Sequence, residues 1–405
     1  MLRWLCIVLM VAGAGFTAGS LAYSQAVPAA PGGTMFYSPP NPLPNGAPGA
    51  VIWSQPLTGV AAMGSAAKNI LVTYHSRTLA GNDVAVTGIV AIPPGKAPEG
   101  GWPVITWTHG TTGLGAQCAP SRDTENGPEH EYLKIVNTLL DGYVKRGFVV
   151  VESDYEGLGT RGVQPFMIGR AVGQNALDII RAARQLEPAI GKRYIVMGHS
   201  QGGHADLFTA AIAPEYAPEL TLVADVAMAP GSHAREMIVA MTNSQKVMPM
   251  LPYVMYVLNA YAANNPAIDL TRILTPEANA HLPELRRQCM SQTQAAGYWA
   301  TAIPKDQFQA GADLSAVLKM ADENDPSKLK ISVPSMVAQG KTDTTVVPEF
   351  TEAVVKGLCS GGNTIEFREY AGKDHDGVIT ASAGDVEPWL AARWKGEATR
   401  GNCGK

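Results

Sequence analysis

The pentapeptide Gly198-His199-Ser200-Gln201-Gly202 restricts the fold of this chain more than any other segment. It matches the pattern G-x-S-x-G, follows a short apolar run at 194–197, and precedes a run of small residues with helical character from 202 to about 213. A sharp strand-to-helix turn exposes the central serine hydroxyl, and side chains at Gly198 and Gly202 would collide inside such a turn. The pattern therefore predicts Ser200 as a nucleophile, with an ordinary glycine-rich turn as the alternative.

Strand and helix patterns alternate along the rest of the chain. Strand-like runs at 69–78 and 84–94 flank the turn signal Ala80-Gly81-Asn82-Asp83, which predicts a hairpin. Further strand patterns cover 102–110, 147–157, 220–230, 330–340 and 364–372, and helical patterns cover 131–147, 171–187, 348–359 and 386–396. Strands separated by helices of this length imply crossover connections and a parallel arrangement. The fold class predicted is α/β, an α/β-hydrolase fold with a mostly parallel central sheet.

Composition divides the chain into five segments. Residues 1–26 have one arginine, a short apolar stretch and Ser24-Gln25-Ala26, the layout of a signal peptide cleaved near Ala26; a membrane anchor is the alternative. Residues 27–50 are a Pro/Gly-rich arm expected to be irregular and unpacked. The hydrolase core is expected at 51–230 and 328–405, with a largely helical cap at 231–327 inserted between strands six and seven. We therefore expect a secreted or periplasmic protein.

The cap contains a nearly uncharged segment at 246–265, rich in methionine, tyrosine and leucine. One interpretation is an inner face that contacts an acyl chain, since methionine adapts to varied ligands. The other is that these residues form the cap's own core. The sequence leaves both open.

Charge and cysteine content exclude several functions. A net charge of −4 without a Lys/Arg cluster argues against nucleic-acid binding. After removal of the signal peptide four cysteines remain, and an even number in an oxidising compartment suggests two disulfides among three possible pairings. Neither C-x-x-C nor H-E-x-x-H occurs, so we expect no metal and no cofactor. The cysteines are Cys118, Cys289, Cys359 and Cys403.

The partners of Ser200 are predicted from chain order, which in this fold runs nucleophile, acid, histidine. Of the histidines after Ser200, only His375 follows the last strand pattern; the others are His204, His233 and His281. Asp343 follows the preceding strand and precedes a helix, so its carboxylate is placed to orient His375. The alternative is that Asp343 is a turn residue. Asp374 and Asp376 are sequence neighbours of His375 and are expected to be poorly placed to reach its ring from behind.

An oxyanion needs two backbone donors near the serine. The amide of Gln201 at the start of the helix is one candidate, and the amide of Thr111, after the strand at 102–110, is the other. His109 is expected to structure its loop. Asp154 and Glu156 could line the cleft, but a structural role is preferred.

Together, the segments THGTTGLG, SDYEGLGT, GHSQGGHA, QGKTDTTVVP and YAGKDHDG resemble the secretory lipase family, the lipase-A-like α/β-hydrolases of fungi and bacteria. The resemblance runs from about Phe36 to the C-terminus. It implies an ester hydrolase with Ser200, Asp343 and His375 as its triad. It also implies disulfides that pair Cys118 with Cys289 and Cys359 with Cys403.

The sequence thus predicts a secreted serine carboxylic-ester hydrolase, triacylglycerol lipase-like, that works through an acyl-enzyme. Its partners are expected to be an ester or lipid substrate and, through the cap, a transient lipid interface, with no nucleic acid or protein partner. The alternatives are a serine peptidase or acyltransferase on the same fold, and a non-catalytic binding protein.

Overall fold

The computed structural model describes residues 28–403, and the predicted signal peptide lies outside them. Within this range nine strands form one sheet in the order β1-β2-β3-β5-β4-β6-β7-β8-β9. The strands are β1 (Val51–Pro56), β2 (Lys68–Arg77), β3 (Asp83–Ile92), β4 (Trp102–Thr108), β5 (Val149–Ser153), β6 (Ile190–His199), β7 (Thr221–Met228), β8 (Ser335–Gly340) and β9 (Ile365–Tyr370). The pairs β1–β2, β2–β3 and β3–β5 are antiparallel. The pairs β5–β4, β4–β6, β6–β7, β7–β8 and β8–β9 are parallel. The predicted α/β-hydrolase sheet is therefore present.

Helices follow most of the strands and fill the long segment between β7 and β8. They are α1 (His130–Lys145), α2 (Gly169–Leu186), α3 (Gln201–Tyr216), α4 (Ala234–Asn243), α5 (Leu251–Asn264), α6 (Leu270–Ile273), α7 (Pro276–His281), α8 (Glu284–Arg287), α9 (Met290–Ala295), α10 (Tyr298–Thr301), α11 (Ser315–Glu323), α12 (Pro348–Ser360), α13 (Gly377–Ala381) and α14 (Ala383–Trp394). Short 3-10 turns occur at Gly33–Tyr37, Ala116–Cys118, Pro120–Arg122, Pro304–Gln307 and Pro326–Lys328. In the described residues, no helix is both long enough and apolar enough to cross a membrane.

The sheet is covered on both faces because its strands are apolar on both. In β4, Ile105 and Trp107 face the side of α1, α13 and α14, whereas Val104 faces the side of α2. In β6, Ile195 and Met197 likewise belong to the first layer. Because side chains alternate along a strand, two helical layers are needed to bury both sets.

The sequence patterns counted as strands six and seven correspond to β7 and β8, because β1 precedes the first of those patterns. One expectation needs correction: the N-terminal arm is not unpacked throughout, since Phe36 in the turn Gly33–Tyr37 is fully buried. The indole of Trp53 in β1 donates to the Phe36 carbonyl, at 3.1 Å. An aromatic side chain thus ties a Pro/Gly-rich segment to the edge strand that was missed.

The chain between β7 and β8 has its own apolar core. Much of α5 is buried there, including Leu251, Val254, Met255 and Leu258, together with Trp299. The parallel strands β4, β6, β8 and β9 all end at the edge of the sheet beneath this segment, and the residues that follow them are the predicted site residues. Functional groups in open α/β sheets gather at the carboxyl ends of strands for this reason.

Candidate active site

Ser200 lies at the turn between β6 and α3 with φ 60° and ψ −120°. This backbone conformation is rare for a residue with a side chain and costs about 1–3 kcal/mol, so the surrounding structure must enforce it. The Ser200 amide donates to the Met228 carbonyl at 2.9 Å, and the Ser200 carbonyl accepts from the Gly231 amide at 2.9 Å. Bonds to the end of β7 on both sides therefore hold the turn. Ser200 is 8% exposed and lines a cavity.

The two glycines of the turn are required by the packing behind it. A Cβ on Gly202 would overlap the Thr108 carbonyl, and a Cβ on Gly198 would overlap the Thr108 hydroxyl. That hydroxyl donates to the carbonyls of Met197 and Gly202, at 3.1 and 2.9 Å. The end of β4 thus presses directly against the back of the turn.

His375 and Asp343 lie beside the same turn. Asp343 Oδ2 is 2.7 Å from His375 Nδ1, so the ring donates to the carboxylate from that nitrogen. The other carboxylate oxygen accepts from the amides of Thr345 and Val346, at 2.8 and 2.9 Å. Burial alone would raise the pKa of Asp343, but the His375 contact and these amides lower it below its usual value. Asp343 is therefore an ionised, fixed partner of the ring.

Ser200 and His375 line one cavity of about 350 Å³. Among the described residues, no direct hydrogen bond joins the Ser200 hydroxyl to the His375 ring. Such bonds commonly tighten only when substrate is bound. Ser200 and its two predicted partners, His375 and Asp343, thus come together from the ends of three strands.

The two predicted oxyanion donors also lie there. Gln201 is the first residue of α3, and its amide is one of the helix N-terminal donors that the helix itself leaves without an acceptor. Thr111 lines the cavity with Ser200. Within residues 28–403, neither amide donates a hydrogen bond, so both are free for a ligand oxygen.

A hydrogen-bonded chain that the sequence did not indicate joins the two sides of the site. The Gly110 amide donates to the Tyr132 hydroxyl at 2.8 Å, and this hydroxyl lies 3.3 Å from His199 Nδ1. His199 Nε2 is 2.8 Å from the His375 carbonyl, which can only accept, so Nε2 bears the proton and Nδ1 accepts from Tyr132. Burial, and secondarily His375, keep the pKa of His199 well below its usual value. A neutral ring therefore connects the Thr111 loop to the His375 loop.

The remaining polar residues named in the sequence analysis are buried in the loops around the site and do not line its cavity. Asp154 is buried and accepts from Ser121 and from the Thr87 hydroxyl, at 2.6 Å from the latter. The His109 ring is buried and stacked on Tyr155, with centroids 4.1 Å apart, and burial lowers its pKa to about 4. Burial raises the pKa of Glu156 to about 7. None of these three lines the cavity at Ser200.

The other histidines and acids of the region are engaged elsewhere. His204 bonds the Asn324 carbonyl, His233 stacks on Phe350, and His281 pairs with Glu284. Asp374 accepts from the Gly377 amide. Asp376, in contrast, lines the cavity together with His375.

In the described range, one group of three side chains could hold a metal ion: His199, His375 and Asp376, with ligand atoms within 4.8 Å of one another. Both ring nitrogens of His199 are already engaged, and so is His375 Nδ1. Little coordinating capacity is left for a cation.

A second, smaller pocket of about 40 Å³ is also lined by Ser200. Its walls are apolar and come mainly from the segment between β7 and β8 and from the loop before α2. They include Phe166, Met167, Met237, Met250, Val257 and Phe350. Residue Tyr253 of α5 lines both pockets. α5 therefore has one face in the core of its segment and another at the two pockets.

Two disulfides have the pairing that the resemblance implied. Cys118 pairs with Cys289 and joins the loop after Thr111 to the start of α9. Cys359 pairs with Cys403 and joins α12 to the C-terminal tail. Next to the first bridge, the Met290 amide donates to the Thr112 carbonyl at 2.9 Å.

The sheet order, the crossover helices and a serine at a strained strand-to-helix turn define an α/β-hydrolase. A model of the secretory lipase family matches residues 131–402. The chain therefore belongs to the secretory lipase family, and it is a carboxylic-ester hydrolase.

Individual relatives are distant. Lipase 1 of Candida albicans is 25% identical over 350 residues, which cover 80% of this chain and 71% of that protein. A Mycobacterium tuberculosis protein that bears the name "Probable inactive lipase" is 24% identical over 396 residues, covering 91% of this chain and 84% of its own. The structure of Candida antarctica lipase A superposes with a TM-score of 0.76 at 19% identity, covering 92% and 88% of the two chains. This last likeness concerns the fold alone.

Proposed function

We propose that this protein is a secreted serine ester hydrolase that works through Ser200, His375 and Asp343 and a covalent acyl-enzyme. The observation that carries the proposal is the 2.7 Å contact between Asp343 and His375 beside a cavity that Ser200 also lines. The contact fixes the proton on His375 Nδ1 and so leaves Nε2 as the base. Export would follow cleavage of the signal peptide near Ala26.

In the proposed reaction the Ser200 oxygen attacks the ester carbonyl as His375 Nε2 takes its proton. The tetrahedral oxyanion accepts hydrogen bonds from the amides of Gln201 and Thr111, a type of contact worth about 3–4 kcal/mol for each donor. His375 then protonates the leaving alcohol. Water, activated by the same nitrogen, releases the acid and restores Ser200.

The acyl chain is assigned to the smaller, apolar pocket. This pocket begins at Ser200 and Gln201 and has methionine and phenylalanine walls, which suit a hydrocarbon chain. Three of the exposed large apolar side chains, Val239, Val247 and Ile303, belong to the same segment between β7 and β8. They are the residues we assign to transient contact with a lipid interface.

Labelling with a fluorophosphonate probe tests the nucleophile. We expect stable labelling of the wild type and none of Ser200→Ala, while the far-UV spectrum stays unchanged. A folded wild-type protein that takes up no probe would support a non-catalytic binding protein, an outcome that the mycobacterial relative's name makes worth testing.

A substrate panel tests the reaction. We expect hydrolysis of p-nitrophenyl esters somewhere between acetate and palmitate, and none of aminoacyl anilides. Activity confined to short esters, with no release of acid from emulsified triglyceride, would make the protein an esterase and not a lipase. Anilide hydrolysis would favour a peptidase, and ester formation in the presence of added alcohol without hydrolysis would favour an acyltransferase.

A further inference from the structure

The wider cavity beside Ser200 is acidic. Glu129, Glu131 and Asp376 line it, and the described lining residues include no lysine or arginine. Two aromatic rings, Tyr132 and Tyr253, form part of its wall. The smaller, apolar pocket that Ser200 also lines has no charged residue among its described lining. The two halves of a bound ester would therefore meet opposite environments.

The acidic cavity is the side from which the alcohol leaves. His375 lines this cavity and does not line the apolar pocket. Under the proposed function, His375 delivers a proton to the leaving oxygen, so that oxygen and the group attached to it must lie on the His375 side. Gln201 has the reverse distribution and lines only the apolar pocket.

The Glu129 carboxylate is held by hydrogen bonds on one oxygen, and the Asp376 carboxylate has none within the described range. Glu129 is 9% exposed, and its Oε1 accepts from the amide and the hydroxyl of Ser291, each at 2.8 Å. Its second oxygen has no hydrogen-bond partner in the described chain, nor has either carboxylate oxygen of Asp376. A carboxylate oxygen of Asp376 lies within 4.8 Å of a ring nitrogen of His375. Glu129 and Asp376 both line the cavity that a leaving group would occupy.

We propose that the leaving-group side of this site selects esters whose alcohol carries a positive charge, such as an ammonium-bearing alcohol, and disfavours esters of anionic alcohols. The inference rests on the proposed function, since it assigns the alcohol to the His375 side. Partly buried carboxylates lose part of their interaction with water, and electrostatic attraction to a cation bound between them offsets that loss. The faces of Tyr132 and Tyr253 can add a cation–π contribution.

The test compares two esters of one shape. Butyrylcholine and 3,3-dimethylbutyl butyrate differ by a positive nitrogen in place of a neutral carbon, and the ratio of their kcat/KM values is measured in wild type and variants. Intrinsic reactivity of the two esters cancels when ratios are compared between proteins. We expect the ratio to fall about three- to tenfold in Asp376→Asn and Glu129→Gln, and further in the double variant.

Matched controls keep the test decisive. Glu131→Gln changes a cavity carboxyl that accepts no hydrogen bond within residues 28–403, so it tests the cavity charge without disturbing Ser291. Glu99→Gln removes one charge from the exposed loop before β4, at the opposite end of that strand from the site, and should leave the ratio unchanged.

Equal ratios in wild type and all cavity variants would overturn the inference, as would an equal fall in Glu99→Gln. An increase in kcat/KM for an anionic ester relative to the neutral one in wild type would overturn it as well. Failure of wild type to hydrolyse either ester would instead count against the proposed function.

Discussion

The conformation of Ser200 is imposed by residues on a neighbouring strand. Thr108 closes the back of the turn with its carbonyl and its hydroxyl, and both glycines of the turn lie against it. The sequence predicts that the glycines are needed. It does not show what they contact, because Thr108 is ninety residues away from the turn along the chain.

Replacing Gly202 by alanine should displace the turn. The new Cβ would overlap the Thr108 carbonyl, which belongs to the central sheet and cannot move aside. We expect kcat/KM for a short p-nitrophenyl ester to fall about 100-fold or more, since small displacements of reacting groups have effects of this size. Gly384→Ala, at a position in α14 with open space around it, is the control and should keep full activity. Near-normal activity of Gly202→Ala would contradict the role given to the turn.

The Tyr132 hydroxyl should matter for rate more than for binding. In Tyr132→Phe, the Gly110 amide loses its acceptor and His199 Nδ1 loses its donor. Because Gly110 precedes Thr111 and His199 bonds the His375 carbonyl, both sides of the site would loosen. We expect kcat to fall about tenfold with a smaller change in KM.

Tyr143→Phe is the matched control for this experiment. Tyr143 lies on the same helix, α1, and is buried, but its hydroxyl has no hydrogen-bond partner. Removing that hydroxyl should leave kcat unchanged. If the two variants behave alike, the Tyr132–His199 chain has no positioning role.

At the scale of elements, period and chain order predicted most of the sheet, its crossover helices, and the strands that carry Ser200, Asp343 and His375. The sequence does not predict β1, because this strand is short, ends in proline and does not alternate between apolar and polar residues. It also has a neighbouring strand along one edge only. The orientation of α5 was also beyond the sequence. Its residues are apolar on all faces, so no polar side marks which face meets solvent, the core or the site.

The bridge between Cys118 and Cys289 should contribute more to stability than the second bridge. It spans 171 residues, against 44 for Cys359–Cys403. Chain-entropy arguments give about 5 and about 4 kcal/mol respectively. Double alanine variants of each pair, compared by melting temperature, should show the larger fall for the first pair.

The two pairs should differ more clearly in activity. Loss of the Cys118–Cys289 bridge frees the segment that carries Thr111 from α9, whereas the Cys359–Cys403 bridge lies at α12 and the tail. We therefore expect kcat to fall only for the first pair at temperatures where both variants remain folded. Equal kcat values would show that the remaining bonds, such as Met290 to Thr112, suffice to hold the loop.

The molecule as a whole buries acidic groups that composition alone could not locate. Burial raises the pKa of Glu152 to about 8 and that of Asp225 to about 7. Burial likewise raises the pKa of Asp206, next to which Asp225 adds a further upward shift. A strand is still recognised from its sequence when it contains one acidic residue. The sequence therefore does not show whether a carboxyl in β5 or β7 is buried or exposed.

These groups make the protein less stable as the pH rises. In the unfolded chain they ionise near pH 4, but in the folded protein Glu152 and Asp225 keep their protons up to about pH 8 and about pH 7, so the folded state binds more protons in this window. Each such group lowers the unfolding free energy by about 1.4 kcal/mol per pH unit while its two states differ in protonation. Asp343, whose pKa is lowered, has the opposite effect below about pH 4 and does not change the trend above it. The melting temperature should therefore fall between about pH 6.5 and pH 8, above the range in which the buried, neutral rings of His109 and His199 have the opposite effect.

Glu152→Gln isolates one contribution to this trend. Glutamine has the shape of protonated glutamic acid, and Glu152 Oε1 is buried without a hydrogen-bond partner, so the neutral amide should be tolerated. We expect a flatter dependence of melting temperature on pH. The variant should gain on the wild type progressively from about pH 5 and most at pH 8, because in this window the unfolded wild type ionises this carboxyl while the folded wild type keeps its proton. Glu99→Gln, in an exposed loop, should reproduce the wild-type slope. If the Glu152→Gln curve is parallel to that of the wild type, the protonation of this carboxyl does not change on unfolding. That result would contradict a pKa of about 8 for Glu152 in the folded protein.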